Sequence, residues 1–352
     1  MSQKKVRIGF VGAGGMGQCA HLKNFAALPD CEVVAIAELR PKLRREVAAR
    51  YSIPHTYENH EQLLEKETLN AIVASQPFSR HGVLVPQLLK AGAPLFTEKP
   101  LAGSVQVGEK IARAVRKSKT FQMVGYHKRS DPATIYAKAE IERLKSSGEL
   151  GPLRYVRILM PAGDWVASGF NDLIRTDDPM PQLETDPPAP DMDQQTYNQY
   201  LSFINYYIHQ INLMRHLLGE PYRVTYAERS GVLLAVESAG GVPGIIEMSP
   251  YRTTLDWQES ALVAFEKGYV KLDLPAPLAS NRPGRLELFR DPGGAATPQT
   301  VVPQLPWVHA MRQQAINFLR AVRGEAPPPC DCEEALEDLK VARQYIRLLK
   351  GA

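Results

Sequence analysis

The stretch Val6-Arg7-Ile8-Gly9-Phe10-Val11-Gly12-Ala13-Gly14-Gly15-Met16-Gly17 decides the first half of the fold. Val6–Val11 is a short apolar run that reads as a strand, and Gly15–Leu28 reads as a helix. The glycines between them fit G-x-G-x-x-G. In that setting Gly12 permits a tight turn, Gly14 lets the backbone approach a pyrophosphate, and Gly17 lets helix and strand pack closely. The helix start offers free N–H groups and a partial positive charge to phosphates, so Gly12, Gly14, Gly15, Met16 and Gly17 are expected dinucleotide contacts. A second strand, Glu32–Ala37, ends at Glu38, 26 residues after Gly12. An acid near that place accepts hydrogen bonds from the adenosine ribose, and repulsion of a 2′-phosphate favours NAD over NADP. Arg40, two residues on, softens that preference.

Working outward, strand-like and helix-like segments alternate. Helix Pro41–Tyr51, strand Ala71–Ser75, helix His81–Ala91, strand Pro94–Thr97, helix Ser104–Lys119 and strand Phe121–Gly125 follow in turn. Strands separated by helices imply βαβ units and a doubly wound parallel sheet of α/β class, the N-terminal Rossmann domain, over residues 1–125. Beyond it the pattern changes. Helix Pro132–Leu144 and strand Leu153–Met160 lead to residues 161–200, which hold six prolines, eight acids and one base. Helix Tyr200–Leu218, six strand-like runs between Val224 and Phe289, and helices His309–Val322 and Cys332–Leu349 complete the chain. Turns such as Ser-Gly and Lys-Gly between neighbouring runs suit an open, mostly antiparallel sheet. Residues 126–352 are therefore expected to form an α+β domain carrying an acidic insertion at 161–200.

At roughly 100–200 residues per domain, 352 residues suit two domains. Lysine and arginine number 42 against 38 acids, a formal charge of +4, of which the insertion contributes −7 and the remainder +11. A dedicated nucleic-acid binder carries a stronger and more clustered basic excess, so nucleic acid is not an expected partner. The four cysteines make no disulfide framework, and Cys330-Asp331-Cys332 has no nearby histidines, so no metal is expected. The N-terminus runs from a short basic stub into a strand, and no apolar run approaches the ~20 residues that span a bilayer. A cytoplasmic protein with no membrane partner is the expectation.

Two places carry candidate chemistry. Glu98-Lys99-Pro100 follows a strand of the parallel sheet, where residues face the ligand crevice. The Lys99 ammonium can stabilise negative charge developing on a substrate oxygen, and a cis Lys-Pro bond is one way for Pro100 to fix the backbone. On helix Tyr200–Leu218, Asn205, His209, Asn212 and His216 fall at i, i+4, i+7 and i+11, sharing one stripe beside an apolar one. His209 can take a hydroxyl proton near neutral pH, although a satisfied, partly exposed histidine has the same spacing.

With these pieces in order, the chain resembles the Gfo/Idh/MocA family of glucose–fructose oxidoreductases, inositol dehydrogenases and their relatives. The matching residues are the Gly12–Gly17 loop, Glu38, Ser75-Gln76-Pro77 with His81, Glu98-Lys99-Pro100, Gly125-Tyr126-His127-Lys128-Arg129 with Asp131-Pro132, Asp164-Trp165 and His209. The resemblance implies an NAD(P)-dependent dehydrogenase acting on a secondary alcohol of a sugar, glycoside or cyclitol. It further implies catalysis by Lys99 and His209, nucleotide contacts from Ser75, Gln76, Pro77, His81, Glu98 and Lys99, and substrate contacts from Tyr126, His127, Trp165 and Asn205. It implies a homo-oligomer, a dimer or tetramer, built on the open sheet. The chain departs from the family's D-x-G-x-H-x-x-D, reading Asn205-Tyr206-Tyr207-Ile208-His209-Gln210-Ile211-Asn212. An amide supplies no charge to steady a protonated imidazole, so His209 is expected to be a weaker base than usual, or Lys99 to share the proton work. The acidic insertion reads equally as a lid or oligomer arm, with Trp165 and Tyr197 stacking on a sugar ring, and as a solvated loop. Two further readings stay open: a redox-neutral enzyme that retains its nucleotide and oxidises a sugar transiently, and a non-catalytic nucleotide-sensing regulator.

Overall fold

The computed structural model describes residues 4–351. These divide into two compact units, the first comprising the chain up to Tyr126 together with Ser168–Tyr197 and Gln314–Leu339. Its sheet holds β1 (Val6–Val11), β2 (Cys31–Ala37), β3 (His55–Tyr57), β4 (Ala71–Ala74), β5 (Leu95–Glu98) and β6 (Gln122–Gly125). All pair in parallel, in the order β3-β2-β1-β4-β5-β6. Every residue of β4, β5 and β6 is buried, as a sheet covered on both faces requires. The connecting helices are α1 (Lys23–Ala26), preceded by a π turn over Gly17–Leu22, α2 (Pro41–Tyr51), α3 (His60–Lys66), α4 (His81–Leu88) and α5 (Val105–Ser118). Each follows a strand, so each begins at the carboxyl edge of the sheet. The strand order reverses between β1 and β4, and ligands of open α/β sheets bind in the crevice at that point.

The second unit comprises His127–Ala167, Asn198–Gln313 and Lys340 onward. After α6 (Pro132–Ser147) it builds an eight-stranded sheet from β7 (Leu153–Ala162) and, beyond α7 (Gln194–Tyr206) and α8 (Ile208–Leu218), from β8 (Tyr222–Ala227), β9 (Leu233–Ser238), β10 (Pro243–Arg252), β11 (Glu259–Phe265), β12 (Gly268–Leu274), β13 (Arg285–Arg290) and β14 (Gln299–Val301). The order is β14-β13-β12-β11-β7-β10-β9-β8, antiparallel except for the β7–β10 pair. Burial alternates along β7, β9, β11 and β12. One face carries Val156, Ile158, Val263 and Leu272 under α6 and α8, and the other leaves Tyr155, Leu159 and Leu262 half-buried. The expected helix over 200–218 is interrupted at Tyr207, which separates α7 from α8.

Helices α9 (Ala310–Val322) and α10 (Cys332–Lys350) close the chain. Phe318 of α9 packs edge-to-face against Phe25, Phe96 and Phe121, with ring centroids 6.0, 5.7 and 6.3 Å away. The Val124 amide donates to the Cys330 carbonyl at 3.0 Å, and Asp331 bridges to Met123, so this segment covers the β6 edge. Residues 314–339 thus group with the first unit. Of the acidic insertion, residues 168–197 group with the first unit. Among the described residues, no helix is long and apolar enough to cross a membrane.

Candidate active site

The glycine loop leaves β1 at the point of strand reversal. Gly12 has φ +93°, and a Cβ there would fall 2.1 Å from Gln76 Nε2 and 2.6 Å from the Ser75 carbonyl oxygen. A Cβ on Gly17 would fall 2.6 Å from the Gly12 carbonyl oxygen, so only glycine lets this turn pack against the strand end. At Gly14 nothing lies within 4 Å, which leaves the cradle open where a pyrophosphate would approach. The residues present thus fit a dinucleotide.

Glu38, 6% exposed, ends β2 beside this loop. Its Oε2 accepts from the Ala13 amide at 2.8 Å, while the Arg40 guanidinium grips both oxygens, Nε to Oε1 at 2.7 Å and Nη2 to Oε2 at 3.0 Å. Burial alone would push this carboxyl up, but the Arg40 and Ala13 hydrogen bonds outweigh it and hold the group below the ordinary range. Glu38 therefore comes with a cation of its own.

Beyond β4 and β5 the remaining crevice residues take unlike roles. Ser75 and Gln76 are half-buried at the loop, and Pro77 is exposed. The His81 ring is 1% exposed and lies between two carbonyls, Leu101 at 3.1 Å and Gln76 at 3.3 Å. Burial lowers its pKa, which leaves the ring neutral with one N–H to donate. The Glu98 carboxylate, 8% exposed, turns to His21 Nε2 at 2.5 Å and to the Lys99 amide at 3.1 Å. Burial opposes its ionisation, but the His21 hydrogen bond and the neighbouring charges keep its pKa low. Lys99 follows, half-buried, and its bond to Pro100 is cis.

Residues 172–191 thread past these loops. Gln18 exchanges hydrogen bonds with the Ile174 backbone, at 3.2 and 3.1 Å. Asp177 pairs with Lys42 at 2.6 Å, and Asp178 accepts from the Lys42 and Leu43 amides at 3.2 and 2.9 Å. Helix α2 starts with Pro41 and has no side-chain cap from Arg40, so Asp178 supplies the missing N-cap from far along the chain. Asp186 does the same for α4, whose N-cap residue Arg80 makes no such bond, by accepting from the Gly82 amide at 2.8 Å. The Glu184 carbonyl accepts from Arg80 at 2.9 Å and Asp191 from Gln106 at 3.2 Å. Negative groups at helix N-termini are favourable, which accounts for Asp178 and Asp186. Nothing in its sequence named these partners.

In the second unit, the rings of His127 and His209 meet edge-to-face with centroids 4.6 Å apart. His209 is half-buried on α8 and His127 is 4% exposed. Asn205 is exposed near the end of α7, whereas Asn212 is 1% exposed and accepts from Arg129 Nε at 2.7 Å. The supposed single stripe thus runs from solvent into a buried polar contact. Lys128 forms a buried ion pair with Glu259, which also accepts from Gln210 at 2.8 Å and from Trp257 at 3.1 Å. Asp131 caps α6 through the Ala133 amide at 2.8 Å and takes the Gly284 amide at 3.0 Å. Lys128, Arg129 and Asp131 therefore serve the packing of this unit. Tyr126, in the first unit, is 2% exposed, and Trp165 is half-buried with its carbonyl accepting from Leu278. Among the described residues no three of His, Cys, Asp and Glu gather as metal ligands.

Residues 6–126 match the family described as Gfo/Idh/MocA oxidoreductases with an NAD-binding Rossmann fold. An uncharacterised oxidoreductase of Bacillus subtilis (strain 168) is 21% identical over 360 aligned positions, covering 97% of this chain and 93% of that protein. An inositol 2-dehydrogenase of Rhizobium meliloti (strain 1021) is 23% identical over 357 positions, covering 97% and 96%. The crystal structure of an NAD-binding oxidoreductase from Klebsiella pneumoniae superposes with a TM-score of 0.74 at 16% identity, covering 99% of this chain and 97% of that one. A parallel sheet ordered β3-β2-β1-β4-β5-β6, a glycine cradle at its reversal and relatives matched along nearly the whole length lead to one assignment: residues 6–126 are an NAD-binding Rossmann domain of the Gfo/Idh/MocA oxidoreductase family.

Proposed function

We propose that the chain is a nicotinamide-nucleotide-dependent dehydrogenase acting on a secondary alcohol or ketone of a sugar, glycoside or cyclitol. The observation that carries this reading is the meeting, along one sheet edge, of the Gly12–Gly17 cradle, buried Glu38 and Lys99 directly after β5. The nicotinamide, when bound, supplies the hydride acceptor or donor. Lys99 donates to the substrate oxygen and stabilises charge growing there, and His209 takes the hydroxyl proton in oxidation and returns it in reduction. NAD is the proposed nucleotide, because Glu38 stands where a 2′-phosphate would come; Arg40 on that carboxylate makes NADP the second choice. The likeness to an inositol dehydrogenase supports a cyclitol among the candidate substrates. The half-buried outer face of the eight-stranded sheet supports a homo-oligomer.

A screen of aldoses, glycosides, cyclitols and amino sugars, with NAD and NADP in parallel and nicotinamide absorbance as the readout, tests this. Lys99→Ala is expected to lower kcat about a hundred- to a thousand-fold, the usual loss on removing one preorganised donor. Undiminished turnover in that variant would refute the mechanism. A second reading, a redox-neutral enzyme that keeps its nucleotide between half-reactions, is favoured by the segment crossing the crevice.

A further inference from the structure

We propose that residues 170–186 form the outer wall of the nucleotide crevice, a strap pinned on both sides of β1, so that bound nucleotide exchanges only when the strap unpins. The proposal rests on the nucleotide reading above and adds to it a set of binding residues and a kinetic consequence.

The path of the strap carries the argument. At its start Phe170 Cζ lies 3.6 Å from where a Cβ on Gly15 would be, and Ile174 is tied to Gln18 just beyond the glycine loop. Next it reaches the end of β2, where Asp177 and Asp178 hold Lys42 and the start of α2, and the exposed Met180 Sδ lies 3.6 Å from Arg40 Nη1. Four residues later it is beyond β4, with Glu184 on Arg80 and Asp186 on the start of α4. In the sheet order, β1 lies between β2 and β4. The crossing therefore covers two strand spacings, about 10 Å. Four extended residue steps reach at most about 14 Å. Little slack remains, and the direct route for Pro181-Gln182-Leu183 passes over the end of β1, where the glycine loop sits.

Charge explains why an acidic segment can lie over a site for an anion. Asp177 is matched by Lys42, and Asp178 and Asp186 face helix N-termini, so these carboxylates point at amides and an ammonium rather than at the cradle. What the strap sets against the cradle is Phe170, with Leu173 beside it. Open space persists at Gly14, so wall and phosphate site are compatible.

The test is nucleotide exchange by the full chain, followed by stopped-flow fluorescence of NADH and NADPH with excess oxidised nucleotide as chase. Asp178→Ala/Asp186→Ala removes the two pins, and Pro181→Gly/Leu183→Gly loosens the crossing while leaving both caps in place, so a folding defect in the first pair does not decide the matter. Association and dissociation are both expected to rise in each pair, about ten-fold on removing the pins, with Kd moving less than either rate. Rates at wild-type values in both pairs would overturn the strap. Wild-type protein that binds neither nucleotide would overturn the nucleotide reading, a separate outcome.

Discussion

Asp131 offers a quantitative test of how the second unit handles a buried charge. Its carboxylate is 1% exposed beside the Lys128–Glu259 pair. Burial pushes its pKa from 3.8 up to about 6, against the Ala133 and Gly284 hydrogen bonds and with the charge of Glu259 adding to the rise. The sign follows from proton counting: between these two values the native protein keeps a proton that the unfolded chain has released. Stability from this group is thus full below pH 3.8 and is lost as pH rises through about 6. Over the whole window the effect is at most about 3 kcal/mol, and between about pH 5 and about pH 7.5 it is about 1.4 kcal/mol. Asp131→Asn keeps an oxygen for the Ala133 and Gly284 amides and removes the titration. Carboxylates held low, such as Glu38 and Glu98, slope the opposite way but are common to both proteins and cancel in the difference. Urea unfolding of both proteins at the two pH values should show the variant gaining about 1.4 kcal/mol on wild type at the higher one. A difference that stays constant with pH would refute the reasoning, because Lys128 would then be compensating Asp131 fully.

Two further outcomes follow from the packing. Gly17→Ala places a Cβ 2.6 Å from the Gly12 carbonyl, a backbone atom that cannot swing away. It should cost about 1–3 kcal/mol in thermal unfolding and abolish NADH binding by fluorescence titration, and a variant that binds normally would show that the loop is slack. The outer sheet face, with Tyr155, Leu159 and Leu262 half-buried, should hold the protein as a dimer or tetramer in sedimentation velocity. Leu262→Glu should shift it toward monomer.

The parts of the fold that were legible in the sequence are those where local chemistry admits few residue types. Gly12 and Gly17 could be read because a φ of +93° and approaches under 3 Å exclude every side chain. Glu38 could be read because a strand end places it. The short β3 and α3 went unread, since His55-Thr56-Tyr57 is largely exposed and shows no apolar run. The strap was illegible for a different reason. Asp178 and Asp186 bond to Leu43 and Gly82, residues 135 and 104 positions away, and no periodicity encodes such a partner. Only the excess of acids signalled it, together with two helices, α2 and α4, that begin without a side-chain cap of their own. The break at Tyr207 was equally hidden: its φ of −93° and ψ of −1° leave the helix through the bridge region, and no glycine or proline marks the place.

Asn212 stands where the resemblance places an acid, and its buried contact with Arg129 has a consequence further along α8. At Asn212 the amide oxygen takes the Arg129 guanidinium but neutralises none of its charge, as a carboxylate would. That charge is felt further along α8: burial drives the His216 pKa well down, and Arg129 and Lys138 add to the effect. An acid in place of Asn212 would pair with Arg129 and offset part of the charge that lowers the His216 pKa.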